Sequence, residues 1–327
     1  MDRLRVAMIG GGDRARQVIY PAVASLPEAE IVAVCDIDAE RLRAVSDRYG
    51  VSSEHRYGDT QVSFKDMIKT EKPDAVFAIG QPHIFFDIWT WCLRQGINLY
   101  IEKPMGLTIH QARSLALLAE ENHCITRVSF QRRSTPLVEK LHAECLERGP
   151  ITYAMCRFYK SMIIPFLEAR DHMMDDCVHS IDTLRWMCGG EIVKIESHMR
   201  RIGVPNVNFI TATFFFDNGA TGYLVNSWAS GKRTFSVEMH APGVHAEAEH
   251  EIGGTIWADG ELEGTYISTQ EAAGSDEYHV YTGVQKMARE FLEGCRTQTQ
   301  PPSHFGDAVK TMEAAEIILA QGLLNGL

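Results

Sequence analysis

The stretch that most constrains the fold of this chain is its beginning. Val6-Ala7-Met8-Ile9 is an apolar run that stops at Gly10-Gly11-Gly12-Asp13-Arg14-Ala15, which reads as strand, then G-x-G-x-x-A, then helix. In such a turn Gly10 permits the sharp reversal, Gly12 lets the backbone approach a pyrophosphate, and small Ala15 lets the helix pack closely on the strand. Phosphates would sit at the helix N-terminus, where unpaired N–H groups and the helix dipole favour negative charge. Asp36 closes a second apolar run, Ile31–Cys35, and lies 21 residues after Ala15, the spacing of an acid that bonds ribose hydroxyls. A glycine triplet alone would be no more than a flexible turn; the strand before it and the acid after it select the dinucleotide reading. Gly10, Gly12, Asp13, Arg14, Ala15 and Asp36 are therefore the expected cofactor contacts. A carboxylate at this position repels a 2′-phosphate, so NAD is favoured over NADP, with Arg14 or Arg41 still able to balance a phosphate.

The same alternation continues through the first 125 residues. Ala39–Tyr49 has helical spacing, Ala75–Ile79 is a third strand-like run, Phe85–Gln95 is a helix ended by Gly96, Asn98–Ile101 is another strand, and Thr108–Asn122 is an amphipathic helix. Strands alternating with helices over short loops imply a parallel sheet with right-handed crossovers. Beyond residue 125 the rhythm changes. After a helix at Leu137–Glu147 come mostly strands: Ile151–Tyr159, Ile192–Arg200, Asn208–Phe216, Thr221–Ser230 and Thr234–His240, with Asp217-Asn218-Gly219 as a hairpin turn. Helices at Val280–Glu293 and Gly306–Leu323 close the chain. The expected fold class is α/β: a Rossmann domain with a parallel sheet over 1–125, then an α+β domain over 126–327. The second domain has a large, mostly antiparallel open sheet for substrate binding and oligomerisation, and the C-terminal helix is able to pack back on the first domain.

Composition narrows the function. A formal net charge of −11 leaves no basic surplus to neutralise phosphates, which argues against a nucleic-acid partner. The eight cysteines include no C-x-x-C pair and several sit in apolar runs, the pattern of reduced, buried thiols and not of a disulfide framework. No signal peptide is recognisable and no apolar stretch is long enough to span a bilayer, so a cytoplasmic protein without a membrane partner is expected. His240, His245 and His250 recur every five residues beside Glu247, Glu249 and Glu251, a spacing that suits neither a strand face nor a helix face, and no metal is expected.

Four further motifs point to one family. Tyr100-Ile101-Glu102-Lys103-Pro104-Met105-Gly106-Leu107-Thr108, Asp74–Ile79 followed by Gln81-Pro82, Phe130-Gln131-Arg132-Arg133 with Pro136, and Asp175-Asp176-Cys177-Val178-His179-Ser180-Ile181-Asp182 stand in that order. Together they strongly resemble the glucose-fructose oxidoreductase / inositol dehydrogenase / MocA family along essentially the whole chain. The resemblance implies an NAD(P)-dependent oxidoreductase acting on a secondary hydroxyl or carbonyl of a sugar, an inositol or a sugar derivative, assembled as a homodimer or homotetramer through the C-terminal sheet. It implies that Lys103, Asp175 and His179 form the catalytic group. It further implies that Glu102 bonds the nicotinamide ribose, that Gln81, Pro82 and His83 border the cofactor with Lys103, His83 reading equally as a helix-capping loop residue, and that the Lys103–Pro104 bond is cis.

The residue types suit that chemistry. Oxidising an alcohol by hydride transfer requires a base for the hydroxyl proton and a positive group for the developing alkoxide. Lys103 lies just past a sheet strand, where open α/β sheets place ligand contacts, although a surface lysine in a turn before proline reads the same way in isolation. Asp175 and His179 are four apart and share a helix face, with Asp182 on roughly the same side; a histidine with a carboxylate neighbour is a tunable base near neutral pH. Without the resemblance, an ion pair decorating a helix surface would serve as well. One departure stands out. Many relatives have a glycine-rich run before this helix, whereas this chain has Ala169-Arg170-Asp171-His172-Met173-Met174. These side chains either bind a particular substrate, such as one bearing a carboxylate or phosphate, or form a solvated loop. Arg132, Arg170, His172 and Tyr159 are the expected substrate contacts; Trp228 and Tyr281 offer flat rings suited equally to a pyranose and to a core. Two other functions fit the same residues: a lyase or glycosidase that retains NAD for transient oxidation of a sugar carbon, and a non-catalytic NAD-binding regulator.

Overall fold

The computed structural model describes residues 3–58, 60 and 62–326. The chain forms two compact units. The first runs to Ser129 and takes in Tyr278–Val280 and Val284–Val309; the second comprises Phe130–Glu277, Tyr281–Gly283 and the chain from Lys310 onward.

The first unit is built on six parallel strands: β1 (Leu4–Ile9), β2 (Ala29–Cys35), β3 (Arg56–Tyr57), β4 (Ala75–Ala78), β5 (Leu99–Ile101) and β6 (Thr126–Val128). Their order in the sheet is β3-β2-β1-β4-β5-β6, a doubly wound arrangement whose direction reverses beside β1. Every residue of β4 and β5 is buried, as expected of central parallel strands covered on both faces. Two strands were not evident from sequence. β3 has two residues, and β6 carries Arg127 at 0% exposure, a charge paired with Glu290 at 2.7 Å. The helix Ser63–Glu71 was also missed. The helix Val284–Thr297 belongs to this unit and drives Phe291 against Phe77 and Tyr100, with ring centroids 5.3 and 5.8 Å apart.

The second unit holds an eight-stranded sheet: β7 (Tyr153–Ser161), β8 (Ile192–Arg200), β9 (Phe209–Phe216), β10 (Thr221–Ser227), β11 (Ala229–Ala241), β12 (Val244–Glu249), β13 (Gly253–Ala258) and β14 (Thr265–Ser268). The order is β14-β13-β12-β11-β7-β10-β9-β8; only β7 and β10 run parallel, all other neighbours being antiparallel. β9 alternates buried and half-buried residues, the period of a sheet with one face on a core. The helices Pro136–Leu146 and Val178–Cys188 cover that face.

The sequence reading stopped this sheet at His240, whereas β12, β13 and β14 extend it. The histidine spacing was misread for the same reason. The chain reverses through Pro242-Gly243, so His240 and His245 become directly opposed on β11 and β12 with stacked rings 4.8 Å apart. His250 points inward, 2% exposed, with Nε2 3.0 Å from the Arg132 carbonyl oxygen. Among the described residues no helix is long and apolar enough to cross a membrane, and no group of three or more His, Cys, Asp or Glu side chains is arranged to hold a metal ion.

Candidate active site

In the first unit the glycine turn is fixed by its backbone. Gly10 has φ +97°, and a Cβ there would lie 2.2 Å from the Ile79 carbonyl oxygen, so no other residue fits. A Cβ on Gly12 would meet nothing within 4 Å, which leaves open space above the turn. Ala15 is completely buried. The segment that follows opens with a π turn, Ala15–Ile19, before the α-helical Tyr20–Ala24, where sequence alone indicated plain helix. The space over Gly12 beside these first turns fits a diphosphate.

Asp36 closes the other side of the turn. Its Oδ2 accepts from the Gly11 N–H at 2.5 Å and its Oδ1 from the Asp38 N–H at 2.8 Å, which hold the carboxylate at the end of β2. The two arginines able to balance a 2′-phosphate are both engaged by acids: Arg14 Nε lies 3.0 Å from Glu102 Oε1, and Arg41 Nε lies 3.4 Å from Asp38 Oδ2. Asp13 is turned outward to Arg16, at 2.6 Å. Pro82 is buried in the first turn of the helix Pro82–Arg94, while Gln81 and His83 are exposed beside it.

Beyond β5 the chain places Glu102, 7% exposed, and then half-buried Lys103. Glu102 Oε2 accepts from the Lys103 N–H at 3.3 Å, and the Lys103–Pro104 bond is cis. Glu102 and Arg14 thus share one edge of the sheet with the glycine turn, all at the C-terminal ends of the parallel strands, where such sheets bind ligands.

In the second unit the helix carrying Asp175 and His179 also starts with a π turn, Met173–Cys177, followed by α-helix from Val178 to Cys188. Rare π turns concentrate at functional sites. Asp171 caps this start, accepting the Met174 N–H on Oδ1 at 2.9 Å. Arg170 reaches back, its Nη2 lying 2.9 Å from Asp175 Oδ1 and 3.6 Å from Glu168 Oε2. His172, 1% exposed, is sandwiched between Phe166 and Trp228 at 4.5 and 4.2 Å. Burial lowers its pKa, partly opposed by Asp176 and Asp175. His172, Met173 and Met174 are thus packed, while Ala169 and Asp171 of the same segment are exposed.

His179 is buried, edge-on to Phe130 at 6.1 Å, on the helix face that carries Ser180 and Asp182 into the unit. Asp182 is paired with Arg133 at 3.3 Å and is 1% exposed. Asp176, one residue past the expected acid, accepts the Trp228 indole N–H at 2.9 Å and the Lys160 ammonium at 2.5 Å; nothing in the motif distinguished it from Asp175. Arg132 is buried, its guanidinium 4.6 Å over Phe235 and 3.6 Å from Glu251.

Tyr159 is not brought to this group. It alternates with Lys160 along β7, and Lys160 faces Asp176, so Tyr159 lies on the opposite, open face. There Arg157, Lys232, Glu247, Trp257 and Tyr266 line a shallow groove.

Residues 4–130 match the model of the GFO/IDH/MocA oxidoreductase family with an NAD-binding Rossmann fold, and residues 167–255 match that family's C-terminal domain. The scyllo-inositol 2-dehydrogenase (NAD(+)) of Bacillus subtilis is 25% identical over 67% of this chain and 66% of its own length, so the match spans about two thirds of each. A D-glucoside 3-dehydrogenase of Escherichia coli is 25% identical over 72% of this chain and 73% of its own. Among solved structures, a dehydrogenase from Chromobacterium violaceum superposes with a TM-score of 0.87 at 19% identity, covering 99% of this chain and 97% of that one.

Proposed function

The chain belongs to the GFO/IDH/MocA family of NAD-binding oxidoreductases, and we propose that it is an NAD-dependent dehydrogenase or reductase for a secondary hydroxyl of a neutral polyol or sugar. The observation that carries this reading is the edge of the first sheet: the space over Gly12, the Asp36 carboxylate fixed by Gly11, and Glu102-Lys103 past β5. Bound there, NAD+ supplies the hydride acceptor. Gly10, Gly12 and the backbone at Asp13 to Ala15 hold the diphosphate, Asp36 the adenosine ribose and Glu102 the nicotinamide ribose, with Gln81, Pro82 and His83 at the rim.

Lys103 binds the substrate oxygen and stabilises the alkoxide as the C–H bond breaks. His179 takes the hydroxyl proton, and Asp175 orients its ring. Arg170 and His172 shape the substrate end of that helix. Because Arg170 is held by two carboxylates, it offers no unopposed charge to an anion, which supports a polyol over a sugar acid or phosphate. The named relatives act on an inositol and a glucoside, consistent with that class.

The open face of the second sheet pairs with another copy of the chain. Tyr153, His240, His245 and Trp257 stack in sequence across β7, β11, β12 and β13, with centroid separations of 3.9, 4.8 and 4.6 Å, an aromatic stripe suited to a flat protein interface. All eight cysteines are buried free thiols, in keeping with a cytoplasmic protein.

The test is direct. Purified protein, NAD+ and a panel of inositols, alkyl glucosides, sugar acids and sugar phosphates are followed by near-ultraviolet absorbance. NADH formation with inositols or glucosides is expected. Activity confined to anionic sugars would overturn the substrate class, and no NADH with any member would overturn the dehydrogenase reading.

A further inference from the structure

Arg14 is the second side chain past the glycine turn, and its Nε is turned to Glu102. Its Nε donates to Glu102 Oε1 at 3.0 Å, bridging the loops after β1 and β5 across intervening β4. The second Glu102 oxygen takes the Lys103 N–H at 3.3 Å, so each carboxylate oxygen has a donor in place. Glu102 is 7% exposed, and its rotamer is accordingly set by these two contacts. Burial works against the Arg14 charge, but Glu102 more than offsets it and the guanidinium pKa stands above its ordinary value.

Two roles are open to an arginine beside a diphosphate loop. Arg14 Nε is committed to Glu102, and turning the whole guanidinium onto the phosphates would strand that buried carboxylate without its counter-charge, which is costly. A neutral diol, in contrast, can bond the remaining lone pairs of Glu102 with the ion pair intact. We propose that Arg14 is a positioning residue for the nicotinamide half of the cofactor, acting through Glu102 and not on the pyrophosphate. The inference rests on the reading of Glu102 as the acid that binds the nicotinamide ribose. It follows that cofactor fragments lacking that ribose are insensitive to Arg14.

The test uses three ligands that differ in one part each, titrated calorimetrically: ADP, which has only the adenosine ribose and diphosphate; ADP-ribose, which adds the second ribose; and NAD+. The proteins are wild type, R14M, R14K, E102Q and R14M/E102Q. R14M and E102Q should each weaken ADP-ribose and NAD+ by about tenfold, the scale of one charge-assisted contact, with ADP changed less than about twofold. The double variant should lose no more than E102Q alone, and R14K should recover part of the loss. Unchanged ADP affinity also reports that each variant is folded. Equal losses for ADP and NAD+ in R14M, multiplying losses in the double variant, or full NAD+ affinity in R14M would each overturn the proposal. If E102Q binds ADP-ribose as wild type does, the reading of Glu102 fails and takes the proposal with it. If E102Q is weakened but R14M is not, only the role of Arg14 fails.

Discussion

Replacing Asp36 with alanine should relax the choice between NAD+ and NADP+, by an amount that can be worked from the site. The carboxylate is fixed by the Gly11 and Asp38 N–H groups at 2.5 and 2.8 Å, so it cannot swing away from an incoming 2′-phosphate. A phosphate on the ribose hydroxyl it would otherwise bind would carry about 1.5 to 2 negative charges roughly 5 Å from it. With an effective dielectric of roughly 40, between surface and bulk values, the repulsion is about 2–3 kcal/mol, a factor of several tens to about a hundred. Removing the carboxylate also removes hydrogen bonds to a charged acceptor from the NAD+ ribose, worth about 1.5–3 kcal/mol. The ratio of NAD+ to NADP+ affinity should therefore fall by at least about a hundredfold in Asp36→Ala. Calorimetric titration of both cofactors at one fixed, low ionic strength measures it, since salt screens the repulsive part. A ratio within twofold of wild type would refute the assignment of Asp36 to the ribose.

Two further outcomes are expected. Lys103→Met should leave NAD+ affinity within about twofold while turnover falls by about 10²-fold or more, as for loss of a group that stabilises developing charge; parallel loss of binding and turnover, measured by titration and initial rates, would place Lys103 on the cofactor side instead. Burial, aided by the nearby Arg132 charge, pushes His250 down to about 3, so unfolded chains bind more protons than folded ones between about pH 6.5 and 3. Stability should be complete above the unfolded value and decline as pH falls through that window. Urea midpoints between pH 7 and 4 test this, and a His250→Asn variant with an equally steep decline would rule out His250 as a source.

Much of the first unit was legible because its signals are local. β1 stops at a glycine turn, β2 ends at an acid, and Ala39–Tyr49 begins at Asp38, whose side chain accepts the Glu40 and Arg41 N–H groups as an N-cap should. β6 was not legible because Thr126-Arg127-Val128 places an arginine where a strand core wants an apolar side chain, and its partner Glu290 lies far along the chain. β12 and β13 were missed because Val244–Glu249 alternates with alanines and β13 opens with Gly253-Gly254, both poor strand formers outside a sheet.

The site divides along the same line. Its residues could be named from motifs, but their partners could not. Arg14 and Glu102 are 88 residues apart, and the Arg170–Asp175 pair forms across the start of a helix, where no periodicity encodes it. The π turns at Ala15–Ile19 and Met173–Cys177 leave no mark on apolar spacing either, since each shifts the helix by a single residue.

Hydride transfer between a polyol carbon and bound nicotinamide is open to a direct isotope test. Once the panel identifies a substrate, that compound is deuterated at its carbinol carbons, oxidised with NAD+, and the cofactor is analysed by mass spectrometry. One deuterium per NADH formed is expected, carried on the nicotinamide ring. Product appearing with unlabelled cofactor and the deuterium released to water would contradict it.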